Sequence, residues 1–466
     1  MRSRFIAHGI GLVTASLIVS GCTAIGPDYL KPAAPVPTHY KEINGWKLGE
    51  PQEAVIQQYW WQSFNDAELN ALEPQVSIHN QTLKVDEANY AQALALIAES
   101  RASIFPTFGL GAAAQHSGTG LGGAGSTASS TVSLNGNAAW VPDLWGQVRR
   151  QIESKDAAAE MSAAQLAAAR LSMQSALATA YFQLRTSDAL HDLLGDVVKY
   201  YQHSLTIAQN QYKAGTAARA NVISAQSLVL SAQAQQINSQ VARQQAEHAI
   251  AVLIGRPPSE LVIAPSPLGH IAPHVPLSVP STLLERRPDI VAAERSMKAQ
   301  NALIGVAMAA YYPNISLSGL LGVSSVGNQL SFNPVWSIGA SLSQMLFNGG
   351  LTDAQVAAAR ASYDASVASY RQTVLTAFQQ VEDQLSALHI LAQEASVQDS
   401  AVKLATQAAD ISINEYDAGT QNFTAVLTAE ANVISARENA LTIRQQRYLA
   451  TVSLIVALGG GWNGAE

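Results

Sequence analysis

Cys22 is the only cysteine of the chain and closes the run Leu17-Ile18-Val19-Ser20-Gly21, which follows Arg2, Arg4 and an apolar stretch from Ile10 to Val19. That layout reads as a secretory signal peptide over residues 1–21 whose end resembles a bacterial lipobox, in which the cysteine is expected to become a lipidated N-terminus. A single cysteine forms no disulfide within its own chain, and lipid attachment gives the sulfur another job. Each acyl CH₂ buried in the bilayer adds ~0.8 kcal/mol of anchoring. Thr23 stands where lipoproteins retained in the inner membrane often carry aspartate, so the anchor suits the outer membrane.

Other arrangements that suggest chemistry dissolve on inspection. Gly118, Gly120 and Gly123 match a dinucleotide fingerprint by count, but Ser, Thr and Ala follow where a helix must begin, so the stretch reads as a loop. His270 and His274 have the helical spacing of metal ligands, yet Pro267, Pro273 and Pro276 forbid a helix there. Arg286, Arg287 and Asp289 flank Pro288, which places them at a helix start in a structural role. There is no HExxH, P-loop or G-x-S-x-G. We therefore expect no catalysis, no cofactor and no metal. Without Arg2 and Arg4 the chain carries 25 basic and 34 acidic residues, a net −9 that argues against nucleic acid.

The elements that position these residues come in two copies. Tyr212-Lys213-Ala214-Gly215-Thr216 recurs as Tyr416-Asp417-Ala418-Gly419-Thr420, and the same offset of 204 carries Gly255 onto Gly459. Phe105-Pro106 matches Tyr312-Pro313 at 207, and Leu144-Trp145-Gly146 matches Leu346-Phe347-Asn348-Gly349 at 202. Each unit reads as helix, two strands, long helix, turn, helix. Trp336, Ile338, Ala340 and Leu342 alternate with Ser337, Gly339, Ser341 and Ser343, and Ile315, Leu317, Leu321 and Val323 share a face opposite Ser316 and Ser318. This is strand period, expected over about 312–324 and 334–346, with weaker counterparts at about 105–116 and 130–142.

Beyond each strand pair the period changes. Val356, Tyr363, Val367, Tyr370, Val374, Ala377, Val381 and Leu388 form a heptad seam, as Leu166, Met173, Leu177, Ala180 and Leu184 do in the first unit. No proline interrupts Gly349 to about Tyr416, enough helix for ~100 Å. At the turns glycine supplies the left-handed conformation, and threonine is expected to cap the returning helix. The expected organisation is thus signal peptide 1–21, lipidated extended segment and equatorial belt 22–65, repeat 1 over 66–255, Pro-rich linker 256–280, repeat 2 over 281–460 and tail 461–466.

With 48% hydrophobic and 13% charged residues, yet no apolar run of membrane-spanning length beyond the signal peptide, insertion must use strands or lipid. Four amphipathic strands leave unpaired edges in hydrocarbon and must close with copies of themselves. Two chains would give eight strands and three would give twelve; an eight-stranded barrel is filled by its own side chains, so a conducting tube favours the larger number.

Trp60-Trp61-Gln62-Ser63-Phe64 with Asp66, Leu69 and Leu72, and Leu284-Glu285-Arg286-Arg287-Pro288-Asp289-Ile290 with Ala293 and Glu294, carry a family resemblance. Gly26-Pro27-Asp28-Tyr29 with Pro32, and Leu346-Phe347-Asn348-Gly349-Gly350, belong to it too. From about Cys22 to Gly460 the chain resembles the TolC-like outer membrane factors, most closely their lipidated, NodT-like branch of efflux lipoproteins. The resemblance implies a mixed α/β membrane protein: a homotrimer with a 12-stranded outer-membrane β-barrel continuous with a 12-helix periplasmic α-barrel. It implies a passive duct exporting small molecules, joined to a periplasmic adaptor (membrane fusion protein) and an inner-membrane pump. By the same resemblance the tip turns Ala214, Gly215, Thr216, Ala418, Gly419 and Thr420 contact the adaptor, and Tyr212, Tyr416 and Thr428 lie at the periplasmic gate. The acidic ring usual near that gate is replaced by Ala425 and Thr428, the nearest carboxylate being Glu430. The competing readings are a type I secretion duct for polypeptides and a trimeric surface adhesin with a coiled-coil stalk.

Overall fold

The computed structural model describes residues 24–42, 59–119, 127–269, 273, 275, 286–326, 331 and 333–462; Cys22, Gly120, Gly123, His270 and His274 lie outside them. The first repeat holds helices α1 (Ala67–His79) and α2 (Gln81–Ala102), strands β1 (Thr107–Thr119) and β2 (Thr127–Trp140), and helices α3 (Gln147–Lys213) and α4 (Arg219–Leu253). The second holds α5 (Pro288–Ala309), β3 (Asn314–Val326), β4 (Asn333–Ser343), α6 (Leu351–Asp417) and α7 (Phe423–Ala457). Four corresponding pairs match in length, α2 and α5 with 22 residues, β1 and β3 with 13, α3 and α6 with 67 and α4 and α7 with 35, while β2 has 14 residues against 11 in β4. The duplication is therefore structural. The opening helix of the first repeat is in two pieces, broken at the extended Asn80.

The chain divides into two units. One comprises Met1–Ala33, Asn89–Ala163 and Ala292–Arg371 and contains the sheet. Its four strands are antiparallel in the order β1-β2-β3-β4, leaving β1 and β4 as edges. Register puts Leu110 opposite Gly136, Leu134 opposite Val323, Leu321 opposite Trp336 and Gly319 opposite Ile338, so the apolar positions of all four strands share one face. Phe108, Leu321, Trp336 and Ile338 are between 70% and 86% exposed there. The other face presents Gln115, Thr131, Asn135, Asn137, Ser318 and Ser337. β1 and β3 begin two residues later than alternation suggested because Phe105 and Tyr312 still donate backbone bonds to Ala102 and Ala309, closing the last turns of α2 and α5, whereas β2 and β4 begin slightly earlier, at Thr127 and Asn333. Near the start of α3, buried Arg150 binds the carbonyls of Ile25 and Gly26 at 3.1 Å and the carboxylate of Asp28 at 2.8 Å, pinning the Gly-Pro-Asp segment.

The second unit comprises Ala34–Ala88, Ala164–Val291 and Gln372–Glu466. The seam residues Leu177, Ala180 and Leu184 of α3, and Val374, Ala377 and Val381 of α6, are all buried. A 3-10 turn over Trp60–Phe64 buries Trp60 and Trp61, and Phe64 packs at 4.9 Å on Phe182, itself 4.6 Å from Tyr448.

The two repeats solve one packing problem with different residues. Asn80 donates to the carbonyl of Leu253 at the end of α4 and accepts from the Leu83 amide, capping α2. In the second repeat Arg287 donates to the carbonyl of Ala457 at the end of α7, while Asp289 accepts from the Ile290 amide. Arg287 also reaches Gln380 on α6 at 2.8 Å. The Arg-Arg-Pro-Asp stretch is thus a helix start, as its proline indicated, and a tie to two further helices.

The Pro-rich stretch after α4 is bound along its described part. Apart from a 3-10 turn at Pro258–Glu260 it has no helix or strand up to residue 269, yet Ile263 and Leu268 are buried. Asp188, its side chain 2% exposed, accepts from Arg185 at 3.2 Å, Arg243 at 2.7 Å and the Ser266 amide at 3.2 Å. Arg185 and Arg243 in turn hold the carbonyls of Ala264 and Ile263. The prolines remove the regular backbone pairing, and charged side chains from α3 and α4 replace it.

Candidate functional site

Apart from Cys22, the residues that sequence singled out for function lie in or near the two hairpin turns. Both long helices end alike: Gly215 and Gly419 have φ of 73°, in the left-handed region. The amides of Thr216 and Thr420 return to Gln211 and Glu415, and those of Gly215 and Gly419 return to Tyr212 and Tyr416, a Schellman motif twice over. A Cβ at either glycine would meet nothing within 4 Å, so glycine is required by backbone conformation and not by crowding. Ala214, Gly215, Thr216, Ala418, Gly419 and Thr420 are all exposed.

The threonines cap the end opposite to the one expected. Thr216 and Thr420 donate their hydroxyls backward, at 3.0 and 2.9 Å, to the carbonyls of Gln211 and Glu415, closing α3 and α6. The returning helix α7 is capped instead by Asn422, whose side chain accepts from the Ala425 amide at 2.9 Å. Ala218, the equivalent position before α4, makes no side-chain cap. Ala218→Asn is therefore expected to stabilise the first turn of α4 by about 1 kcal/mol, slowing hydrogen exchange there about fivefold. Unchanged exchange over residues 219–222 would refute this.

Inside the turns, Tyr416 and Tyr212 part ways. The Tyr416 hydroxyl donates to the side-chain oxygen of Gln211, linking α6 to α3, and its ring lies 5.4 Å from that of Phe423. Ala208, Ala225 and Phe423 form a buried cluster on which Tyr416 rests. Burial raises the Tyr416 phenol above its usual value, so it remains a neutral donor. Tyr212 is half exposed. Thr428 is also exposed, with its hydroxyl returned to the Thr424 carbonyl of its own helix. Sequence reasoning did not find Gln211; its trace is that a polar residue, Gln211 or Glu415, precedes the tyrosine in both turns.

Glu430, the carboxylate nearest the tip in sequence, is 2% exposed. It accepts from Ser204 at 3.3 Å and from Tyr200, and burial pushes it up to about 7. It does not stand in for an exposed acidic ring.

One unit holds an antiparallel sheet with one apolar face and two open edges, and the other holds the two glycine turns that join long helices. Among the described residues no helix is long and apolar enough to cross a membrane. A profile described as Outer membrane efflux protein matches residues 73–256 and 279–460. The chain is 29% identical over 465 residues to the antibiotic efflux pump outer membrane protein ArpC of Pseudomonas putida, covering 97% of this chain and 95% of that one. It is 30% identical over 471 residues to nodulation protein T of Rhizobium leguminosarum bv. viciae, covering 98% and 94%. Among solved structures, the outer-membrane channel OprN superposes with a TM-score of 0.87 at 30% identity, covering 94% of this chain and 99% of that one. The chain belongs to the outer membrane efflux protein family, a family of transport channels whose place is the outer membrane.

Proposed function

We propose that three copies of the chain close their sheets into a 12-stranded barrel and their hairpins into a 12-helix periplasmic tube, forming a passive duct for small molecules. The sheet carries this reading: one apolar face, one polar face and two edges, β1 and β4, that hydrocarbon would leave unpaired. Three such sheets join edge to edge into a closed wall with the apolar face toward lipid. The two repeats, 66–255 and 281–460, then occupy alternating positions around the ring. Lipidation at Cys22 adds a second attachment, two residues before the segment that Arg150 pins beside the strand-to-helix junction.

In this reading the turns at Ala214–Thr216 and Ala418–Thr420 are docking points for a periplasmic adaptor (membrane fusion protein) coupled to an inner-membrane pump. Relatives named as efflux pump components support that assignment. Tyr416 and Gln211 form a latch between the long helices, with Tyr212 and Thr428 completing the constriction. No catalytic step is assigned to any residue.

The test is single-channel conductance of the detergent-purified protein in planar bilayers, with native mass measured on the same sample. A trimer whose chains carry acyl mass at the N-terminus, with small closed-state conductance, is expected. Tyr416→Ala removes a hydrogen bond worth about 1 kcal/mol and should shift the open-to-closed ratio about fivefold toward open. A monomeric mass, or silence with the tip hairpins deleted, would sink the duct.

A further inference from the structure

Above the tip, α3, α6 and α7 line a half-open cavity of about 190 Å³ that the gate does not use. Its wall includes Asp196, Val197 and Tyr200 from α3, Asp410 from α6, and Glu430 and Ile434 from α7. Glu430 Oε1 takes the Ser204 hydroxyl at 3.3 Å and the Tyr200 hydroxyl lies against the carboxyl, while Oε2 is buried without a hydrogen-bond partner. A buried carboxylate oxygen left bare is costly as an anion. Either a proton or a cation must answer it.

The lining indicates which cation. Among the described residues no group of three or more His, Cys, Asp or Glu side chains is arranged to hold a metal ion. The cavity holds roughly six waters' volume by the liquid share per molecule, room for a short alkyl stem. Val197 and Ile434 offer apolar contact for the stem, and the Tyr200 ring and two more carboxylates favour a positive head. Arg437 also lines the wall, and Asp196 is shared with Lys199 at 3.0 Å.

We propose that this cavity binds a small primary alkylammonium, which pairs with the free oxygen of Glu430 in exchange for its proton. The neutral carboxyl releases one proton to solvent and the carboxylate accepts a hydrogen bond from the ammonium, so the charge of the site is unchanged by exchange. The titratable and charged groups around Glu430 are Asp196, Tyr200 and Tyr201 on α3, Asp410 on α6 and Arg437 on α7. Helix α4 contributes none between Arg219 and Arg243. The site lies within one chain and does not rest on the trimer or on the direction of transport.

Titration of n-butylammonium into the full-length protein in detergent at pH 6, in two buffers of different ionisation enthalpy, tests it. Saturable binding of one ammonium per chain with release of close to one proton is expected. Glu430→Gln should weaken binding at least tenfold and abolish the release. Ala409→Leu, which fills the cavity and keeps the carboxylate, should block binding as well. Folding of the Gln variant is checked by thermal unfolding. A carboxyl raised from 4.5 to about 7 favours the folded state most while protonated, below 4.5, and loses stability as pH rises through 7. The wild type should thus fall relative to Glu430→Gln as pH rises from about 4.5 to about 7 and stay level above that. No saturable heat, binding unaffected by Glu430→Gln, or binding without proton release would each overturn the proposal.

Discussion

Asp188→Ala should lower the unfolding stability of the protein by about 3–5 kcal/mol, the cost of stranding a buried charge. The carboxylate it removes faces Arg185, whose side chain is 5% exposed, and Arg243, at 18%. Neither guanidinium can be neutralised, because its proton is not released at any pH a protein survives. Arg185 also keeps contact with the Tyr181 hydroxyl at 3.0 Å and lies 4.8 Å over its ring, so part of its environment survives. The Ser266 amide loses its acceptor too, which frees the stretch carrying Ile263 and Leu268. Thermal unfolding in detergent is the measurement. The double change Arg185→Met with Asp188→Leu should cost less than Asp188→Ala alone, because it removes a charge together with its partner. A single variant that matches the wild type would show that water reaches the cluster.

Ile338→Arg and Ser337→Arg should behave oppositely although the positions are adjacent. Successive strand residues face opposite sides, and register places Ile338 beside Gly319 on the apolar face and Ser337 beside Leu320 on the other. On the lipid face an arginine costs about 2–4 kcal/mol near the bilayer midplane. Ile338→Arg should therefore deplete assembled protein from the outer membrane, measured as heat-resistant oligomer in membrane fractions. Ser337→Arg should assemble normally and lower single-channel cation conductance, since in the proposed barrel its face lines the duct. Equal assembly of both variants would remove the barrel from the proposal.

Much of this architecture was legible because its causes are local or repeated. Strand period at Trp336–Leu342 and heptad period from Val356 onward depend only on which face must be apolar, and the four-strand register agrees with that alternation. The turns were legible because Gly215 and Gly419 supply a backbone conformation that L side chains rarely adopt. Duplication sharpened each reading, since an error would have had to occur twice.

The failures share a different cause. Thr216 and Thr420 looked like N-caps from spacing alone, but the Schellman geometry brings the carbonyls of Gln211 and Glu415 within reach of their hydroxyls. That the Pro-rich linker is tied down was not legible, because nothing nearby in sequence holds it; Asp188 and Arg185 do so from 78 and 79 positions away. Asn80 and Arg287 do one job at equivalent places, which their unlike side chains conceal.

Sequence by itself determined where the chain bends, which faces are apolar, that the unit is doubled and to which family it belongs, because periodicity, glycine turns and repeated motifs act over a few residues. Only the tertiary structure decided which carboxylates are buried. It alone showed that Glu430 borders a cavity, that Asp188 binds two arginines and that Tyr416 holds Gln211. Burial and pairing depend on which helices meet, and distances across a fold are not written in the spacing of any one segment.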